Sequence, residues 1–327
     1  MKRFLTILLS FCMLLSIGIS TACHKSDAQL KIYMPDGAPA LAMAKLMHDE
    51  NKLNATSVDY TVVSASTISN YVTTKTADAI IIPLNAATKL AGDTYTMAGV
   101  VTHGNLYVVS SQEVNSVQDL KGKVVGAIGM GQVPDLTMKA ILTANGIAFE
   151  TYSDQTIETE KVYFSYFSEA SNLLPQLKTG ALSYGVLPEP AVSKFLTIAP
   201  NYSIKLNVQS LYDSTTNSFP QAVLLVKNSL IASDKGVVDN LINAIIESQN
   251  WIKSNATLAV NAVNSHLEDG ATPSLSAQTM TETAITNSNI YFEKAQNAKE
   301  SVLNYITRIK GVNPNAINEV SDAFFMN

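Results

Sequence analysis

Val124-Val125-Gly126-Ala127-Ile128, running into Gly129-Met130-Gly131-Gln132-Val133-Pro134-Asp135, is the stretch that decides the fold. An apolar strand meets a loop of Gly, Pro and Asp, and Leu136 to Asn145 follows as a predicted helix that Gly146 stops. Strand, loop and helix in this order open a βαβ unit. The same order occurs near the start. Leu30-Lys31-Ile32-Tyr33-Met34 alternates as a half-buried strand, Pro35-Asp36-Gly37-Ala38-Pro39 breaks it, and Ala40 to Asp49 reads as a helix. Pro39 suits the first helical turn, where a missing N–H costs nothing.

Working outward, strands are predicted at 58–63, 79–82 and 97–101 in the first half. In the second they fall at 162–167, 184–187, 203–208 and 222–226, with a helix ending at Gly180. Ala79-Ile80-Ile81-Ile82 is apolar on both faces, as a buried parallel strand should be. From Lys235 onward the pattern is helical only: 237–253, 258–266, 277–286, 293–310 and a short piece near 317–324. The fold class is therefore α/β, with two lobes, each a mostly parallel sheet flanked by helices, and a helical C-terminal region. In open α/β sheets the ligand crevice lies at the carboxyl ends of the strands.

The first residues carry an address. Lys2 and Arg3 precede an apolar run from Phe4 to Ile19, and small residues lead to Cys23. The run is too short for a comfortable span, and no stop-transfer pattern follows, so residues 1–22 read as an export signal. Ala22-Cys23 resembles the lipobox of bacterial lipoproteins, which implies lipidation of Cys23. Ser20 departs from the Leu more common there, and a plain secretory signal cleaved nearby is the alternative. The only other cysteine, Cys12, lies inside the leader, so no disulfide framework is expected. A net charge of −5 and pI near 5.4 leave no basic field for nucleic acid. Beyond the leader Arg308 is the single arginine, so the rigid fork that grips sulfonate or phosphate is nearly absent. His24, His48, His103 and His266 are scattered, which gives no metal spacing. No cofactor is expected.

Asp119-Leu120-Lys121-Gly122-Lys123-Val124-Val125-Gly126 with its glycine loop resembles the opening of the second lobe in type II solute-binding proteins of ABC transporters. Within that family the closest likeness is to the nitrate, sulfonate, taurine and thiamine-precursor group. The loop 35–39, Ala77-Asp78-Ala79-Ile80, Gly185-Val186-Leu187-Pro188-Glu189-Pro190, and 238–259 with Trp251 and Asn255 fit the same group. The resemblance implies a periplasmic-binding-protein clamshell. A linker would occupy 23–28, lobe one 29–108 plus 222–327, and lobe two 109–221, with crossings near 107–109 and 220–222. It further implies a monomer, tethered to the outer face of the cytoplasmic membrane or in the periplasm by its lipid alone. Its partners would be a small-molecule solute, an ABC permease and that permease's ATPase. An enzyme is not expected. The alternatives are an enzyme on the same fold, since it also resembles proteins making pyrimidine or menaquinone precursors, and a sensory or adhesive lipoprotein.

Candidate ligand-binding residues follow from the crevice. Backbone N–H groups of Gly37, Ala38, Gly131 and Gln132 open helices and could receive an oxygen, or the glycines could merely serve turns. Asp36 either points into the cleft or caps its helix, and Asp135 reads as a cap. Asn85 follows a strand end and bonds a ligand or caps its own helix. His103 sits in a loop bordering the cleft, where a structural role is the alternative to ligand contact. Tyr107 reads as hinge filling. Glu189, between two prolines, suits an amino-bearing ligand, with a salt bridge or cap as the bland reading. Ser165 and Ser168-Glu169 border another strand end. The expected solute is neutral or amino-bearing, in the manner of a pyrimidine thiamine precursor, and no catalytic set is assigned.

Overall fold

The computed structural model describes residues 29–49, 53 and 56–327, so the leader, Cys23 and the linker after it lie outside the described residues. Among the described residues no helix is long and apolar enough to cross a membrane. Strands β1 (Leu30–Pro35), β2 (Val58–Val63), β3 (Ala79–Pro83) and β4 (Tyr95–His103) begin the first sheet. The second holds β5 (Leu106–Ser110), β6 (Lys123–Ile128), β7 (Ala148–Thr151), β8 (Lys161–Phe167), β9 (Tyr184–Pro188) and β10 (Ser203–Asn207). β11 (Pro220–Lys227) and β12 (Ile290–Lys294) return to the first. The orders are β12-β4-β11-β3-β1-β2 and β10-β5-β9-β6-β8-β7. Helices flank both sheets, and a helical C-terminal region is present.

Each sheet is mixed. β2, β1 and β3 run parallel, as do β7, β8, β6 and β9. β11 lies antiparallel between β3 and β4, and β12 is antiparallel on β4. In the second sheet β5 opposes β9 and β10 opposes β5. The cause is the chain's path. It leaves the first sheet at the carboxyl end of β4 and enters the second beside the carboxyl end of β9, where Leu106 pairs with Pro188. A strand entering from that end must run backward. β10 then leads through the helix Val208–Tyr212 to β11, whose Pro220 pairs with His103. The carboxyl ends of both sets of parallel strands therefore face one another across the crossing.

Some local expectations need correction. The stretch after Lys235 is not helical only, because Ile290-Tyr291-Phe292-Glu293 pairs with β4 as an edge strand, and the last long helix starts at Ala295. The segment near Ile317–Phe324 forms just a 3-10 turn, Asp322–Phe324. The first helix breaks at Met43 into Ala38–Ala42 and Ala44–His48. There the Lys45 N–H donates to Ser248 Oγ at 3.1 Å, so a side chain has entered the helical ladder.

The apolar residues sort by face. Ile32, Met34 and Ile81 share one core with the apolar residues of the helix Lys235–Ser254, while Tyr33, Ile80 and Ile82 belong to a core that continues into the second lobe. The bridge is the helix Ala295–Val312, packed on Val133–Ala144, with the Tyr305 hydroxyl 2.9 Å from Thr137 Oγ1.

Candidate functional site

The loops that follow the parallel strands meet across the interlobe seam. Asn85, just after β3, donates from Nδ2 to the Gly131 carbonyl at 2.9 Å. Ser64, just after β2, donates from Oγ to Glu169 Oε1 at 2.7 Å. Lys194 on the helix Ala191–Ile198 donates to the Ser274 carbonyl at 3.0 Å. Each bond joins the first sheet's lobe to the second's. The lobes thus stand closed on each other.

The glycine loop after β6 is held by its own lobe. Gly129 and Gly131 both have φ in the left-handed region, 66° and 74°, which glycine adopts without strain. Asp135, only 2% exposed, takes the Gly131 N–H at 2.8 Å, Lys139 Nζ at 2.9 Å and the Tyr166 hydroxyl at 2.5 Å. Gln132 donates its N–H to the Gly129 carbonyl at 2.8 Å. The amides of Gly131 and Gln132 are therefore already paired, and the group this loop turns toward the other lobe is a carbonyl. Met130 stands 59% exposed beside it.

The first-lobe loop is arranged alike. Gly37, at φ 102°, donates its N–H to Asp36 Oδ1 at 2.7 Å. The second oxygen of Asp36 takes the Ser274 N–H at 2.8 Å, so Ser274 stands between Asp36 and Lys194. Ala38 is buried at the start of a helix of five residues. Asn85 is 4% exposed, and its Oδ1 has no hydrogen-bond partner.

His103 and Glu189 lie at the hinge. The His103 ring stacks on Tyr291 at 3.6 Å, and its Nε2 lies 3.2 Å from Glu293 Oε2. Burial lowers its pKa, against the opposing pull of Glu293. Glu189 is buried and caps its own helix, receiving the Ser193 N–H at 3.0 Å and the Ser193 hydroxyl at 2.9 Å. Burial raises its pKa, and hydrogen bonds from Ser193 and Asn287 oppose the rise. Tyr107, its pKa pushed up to about 12 by burial and then by Glu189, donates to the Asn287 carbonyl at 3.3 Å. Gly104 and Asn105 make the crossing, and Asn105 Nδ2 lies 3.3 Å from the Glu189 carbonyl. Asp36 and His103 do not meet through any of these bonds. Arg308 is also at the hinge, donating to the Tyr212 carbonyl at 2.6 Å with its guanidinium over the Tyr212 ring.

The structure thus brings Asn85 and Gly131 together and places His103 and Glu189 apart from them, in the hinge. Four residues at the seam, Ser64, Lys194, Glu268 and Ser274, escaped the sequence reading. Ser64 was findable, because it follows β2 as Asp36 follows β1. Glu268 and Ser274 were not, since they reach β2 and Asp36 from over 200 positions away. Backbone bonds from Val62 to His266 and from Glu268 back to Val62 hold that segment beside β2.

A comparison with curated protein sequences finds no match. Among solved structures, an ABC transporter protein of Parabacteroides distasonis shares the fold with a TM-score of 0.73 and 18% identity, over 91% of this chain and 99% of that one. The periplasmic aliphatic sulphonate binding protein of Escherichia coli aligns with a TM-score of 0.64 and 12% identity, over 88% and 87%. The alkanesulfonate-binding protein of Xanthomonas axonopodis pv. citri gives 0.61 and 14%, over 90% and 99%. Residues 94–257 match the NMT1/THI5-like family. With that match spanning half of the chain and the clamshell shared over most of its length, the protein belongs to the NMT1/THI5-like family and has the two-lobe type II periplasmic-binding-protein fold.

Proposed function

We propose that the chain captures a small polar organic solute between its lobes and delivers it to an ABC permease driven by its ATPase, tethered by a lipid on Cys23. The observation that carries this reading is the pair of seam bonds, Asn85 to Gly131 and Ser64 to Glu169. They tie strand-end loops of opposite lobes where an open α/β sheet holds its ligand. With Lys194 to Ser274 they make three such ties, few enough to break and reform as the lobes swing about Gly104-Asn105 and the 213–219 connection. The export signal and the sulphonate-binding proteins among the fold's relatives support import over intracellular chemistry. The reading assigns the chain binding and no reaction.

The test is identification of solute released on denaturing the purified protein, with uptake of that solute measured in cells carrying and lacking the gene. A released compound whose uptake falls without the gene supports the reading. A compound turned over by the pure protein overturns it in favour of an enzyme. For the anchor, Cys23→Ala should move the protein from the membrane to the soluble fraction and abolish labelling by palmitate.

A further inference from the structure

Resting on that reading, we infer that the solute is an organic cation bearing N–H donors, with its charge held at the Ser64 end of the seam by Glu169 and Glu268. The reasoning begins with what the seam has to offer. Backbone N–H groups are the usual means of holding an anion without side-chain charge. Here three of the four candidate amides, those of Gly37, Gly131 and Gln132, are spent on Asp36, Asp135 and Gly129. Arg308 is committed to Tyr212 at the hinge. Of the four, the Ala38 amide alone is left to offer an anion.

Acceptors, by contrast, are in surplus. The amide of Asn85 spans the seam through Nδ2, and Oδ1 is bonded to the same carbon. That oxygen is fully enclosed and without a partner. A buried acceptor left unpaired costs about 1–3 kcal/mol, which an N–H donor on the solute would recover. At the other end, Glu268 Oε1 takes the Ser64 N–H at 3.1 Å while Glu169 Oε1 takes the Ser64 hydroxyl at 2.7 Å. Carboxylates from opposite lobes converge on one serine. Tyr71 feels the charge of Glu268 and itself stacks on Tyr33 at 4.0 Å.

Neither glutamate forms an ion pair among the described residues. Closure therefore brings like charges together uncompensated, and a cation between them would turn that repulsion into attraction. The nearby Lys194 does not fill this role. Its ammonium sits on the Ser274 carbonyl, whose residue donates to Asp36, so it tempers the middle of the seam. β3, β1 and β2 are adjacent in that order, so the strands that lead to Asn85 and Ser64 lie two strand spacings apart, about 10 Å. A short amine or amidine spans that distance, with a donor toward Asn85 and its charge at the glutamates.

The experiment is a thermal-shift and calorimetric titration of the full chain with putrescine and agmatine, set against ethanesulfonate and nitrate. An amine or amidine probe should raise Tm, and Glu169→Gln and Glu268→Gln should each weaken its binding by about tenfold or more. Both substitutions keep side-chain volume, and the solute released from unaltered protein gives a second readout that needs no variant: it should carry net positive charge. Binding of ethanesulfonate or nitrate with undiminished affinity in the two variants overturns the cationic class and leaves the transport reading standing. No shift with either amine probe, together with a released solute that is anionic or neutral, does the same. No shift with any probe and no released solute removes both.

Discussion

The Asn85 side-chain amide donates to the Gly131 carbonyl at 2.9 Å, so the end of β3 in one lobe closes directly on the glycine loop after β6 in the other. Every bond that must break for the lobes to part sets the balance between open and closed forms, at about 0.5–1.5 kcal/mol for a neutral hydrogen bond. Asn85→Ala should therefore enlarge the open fraction, seen as a larger radius of gyration in solution scattering. Asn85→Asp replaces the donor with a charge facing a carbonyl and should open the protein further. Equal scattering from all three proteins would mean that this bond does not govern closure.

Gly104 is closely packed within the crossing. A Cβ there would lie 2.4 Å from Phe219 Cε1 and 2.6 Å from Gln209 Cγ, and Gln209 is buried with its Oε1 holding the Leu106 N–H at 2.7 Å. Gly104→Ala is expected to cost about 1–3 kcal/mol through overpacking, read as a lower denaturation midpoint with an unchanged slope.

Asp135 organises the glycine loop from beneath. Asp135→Asn removes the charge that Lys139 faces and puts an NH2 where a donor must now be refused. The loss should be about 3–5 kcal/mol, in the range for breaking a buried pair, and chemical denaturation would report it. Solute affinity should fall as well, because the loop that presents the Gly131 carbonyl loses its support.

His103 gives the hinge a pH dependence of defined sign. Burial lowers its folded pKa below the ordinary value of 6.5, so the unfolded chain binds the proton more readily. Its contribution to stability is present above about pH 6.5 and is lost as pH falls toward the lowered folded value. Glu189, whose pKa burial raises, acts with the opposite sign, its contribution being lost as pH rises through the raised value. Tm measured from about pH 7.5 to 5.5 should fall more steeply in the unaltered protein than in His103→Gln with Glu189 retained. Parallel curves would show that His103 titrates alike in the folded and unfolded states.

Much of the candidate site was legible because strand ends are legible. Asp36, Asn85 and the Gly129–Gly131 loop stand where an apolar run gives way to Gly, Pro or Asn, and the structure sets all of them at the carboxyl ends of parallel strands. His103 and Glu189 follow strands too, yet β4 and β9 flank the crossing, so the same sequence sign marks hinge residues there. Which groups were already paired was not legible. The Gly131 amide looks free until Asp135 is seen to reach back to it.

Local composition and periodicity by themselves determined the α/β class, the two lobes and the edge on which a crevice would lie, because burial imposes its period residue by residue. Mixed sheets, the β12 edge strand, and the meeting of Ser64 with both Glu169 and Glu268 were decided only in the tertiary structure. They depend on partners far away along the chain, and no spacing in the sequence records which loops the two lobes press together.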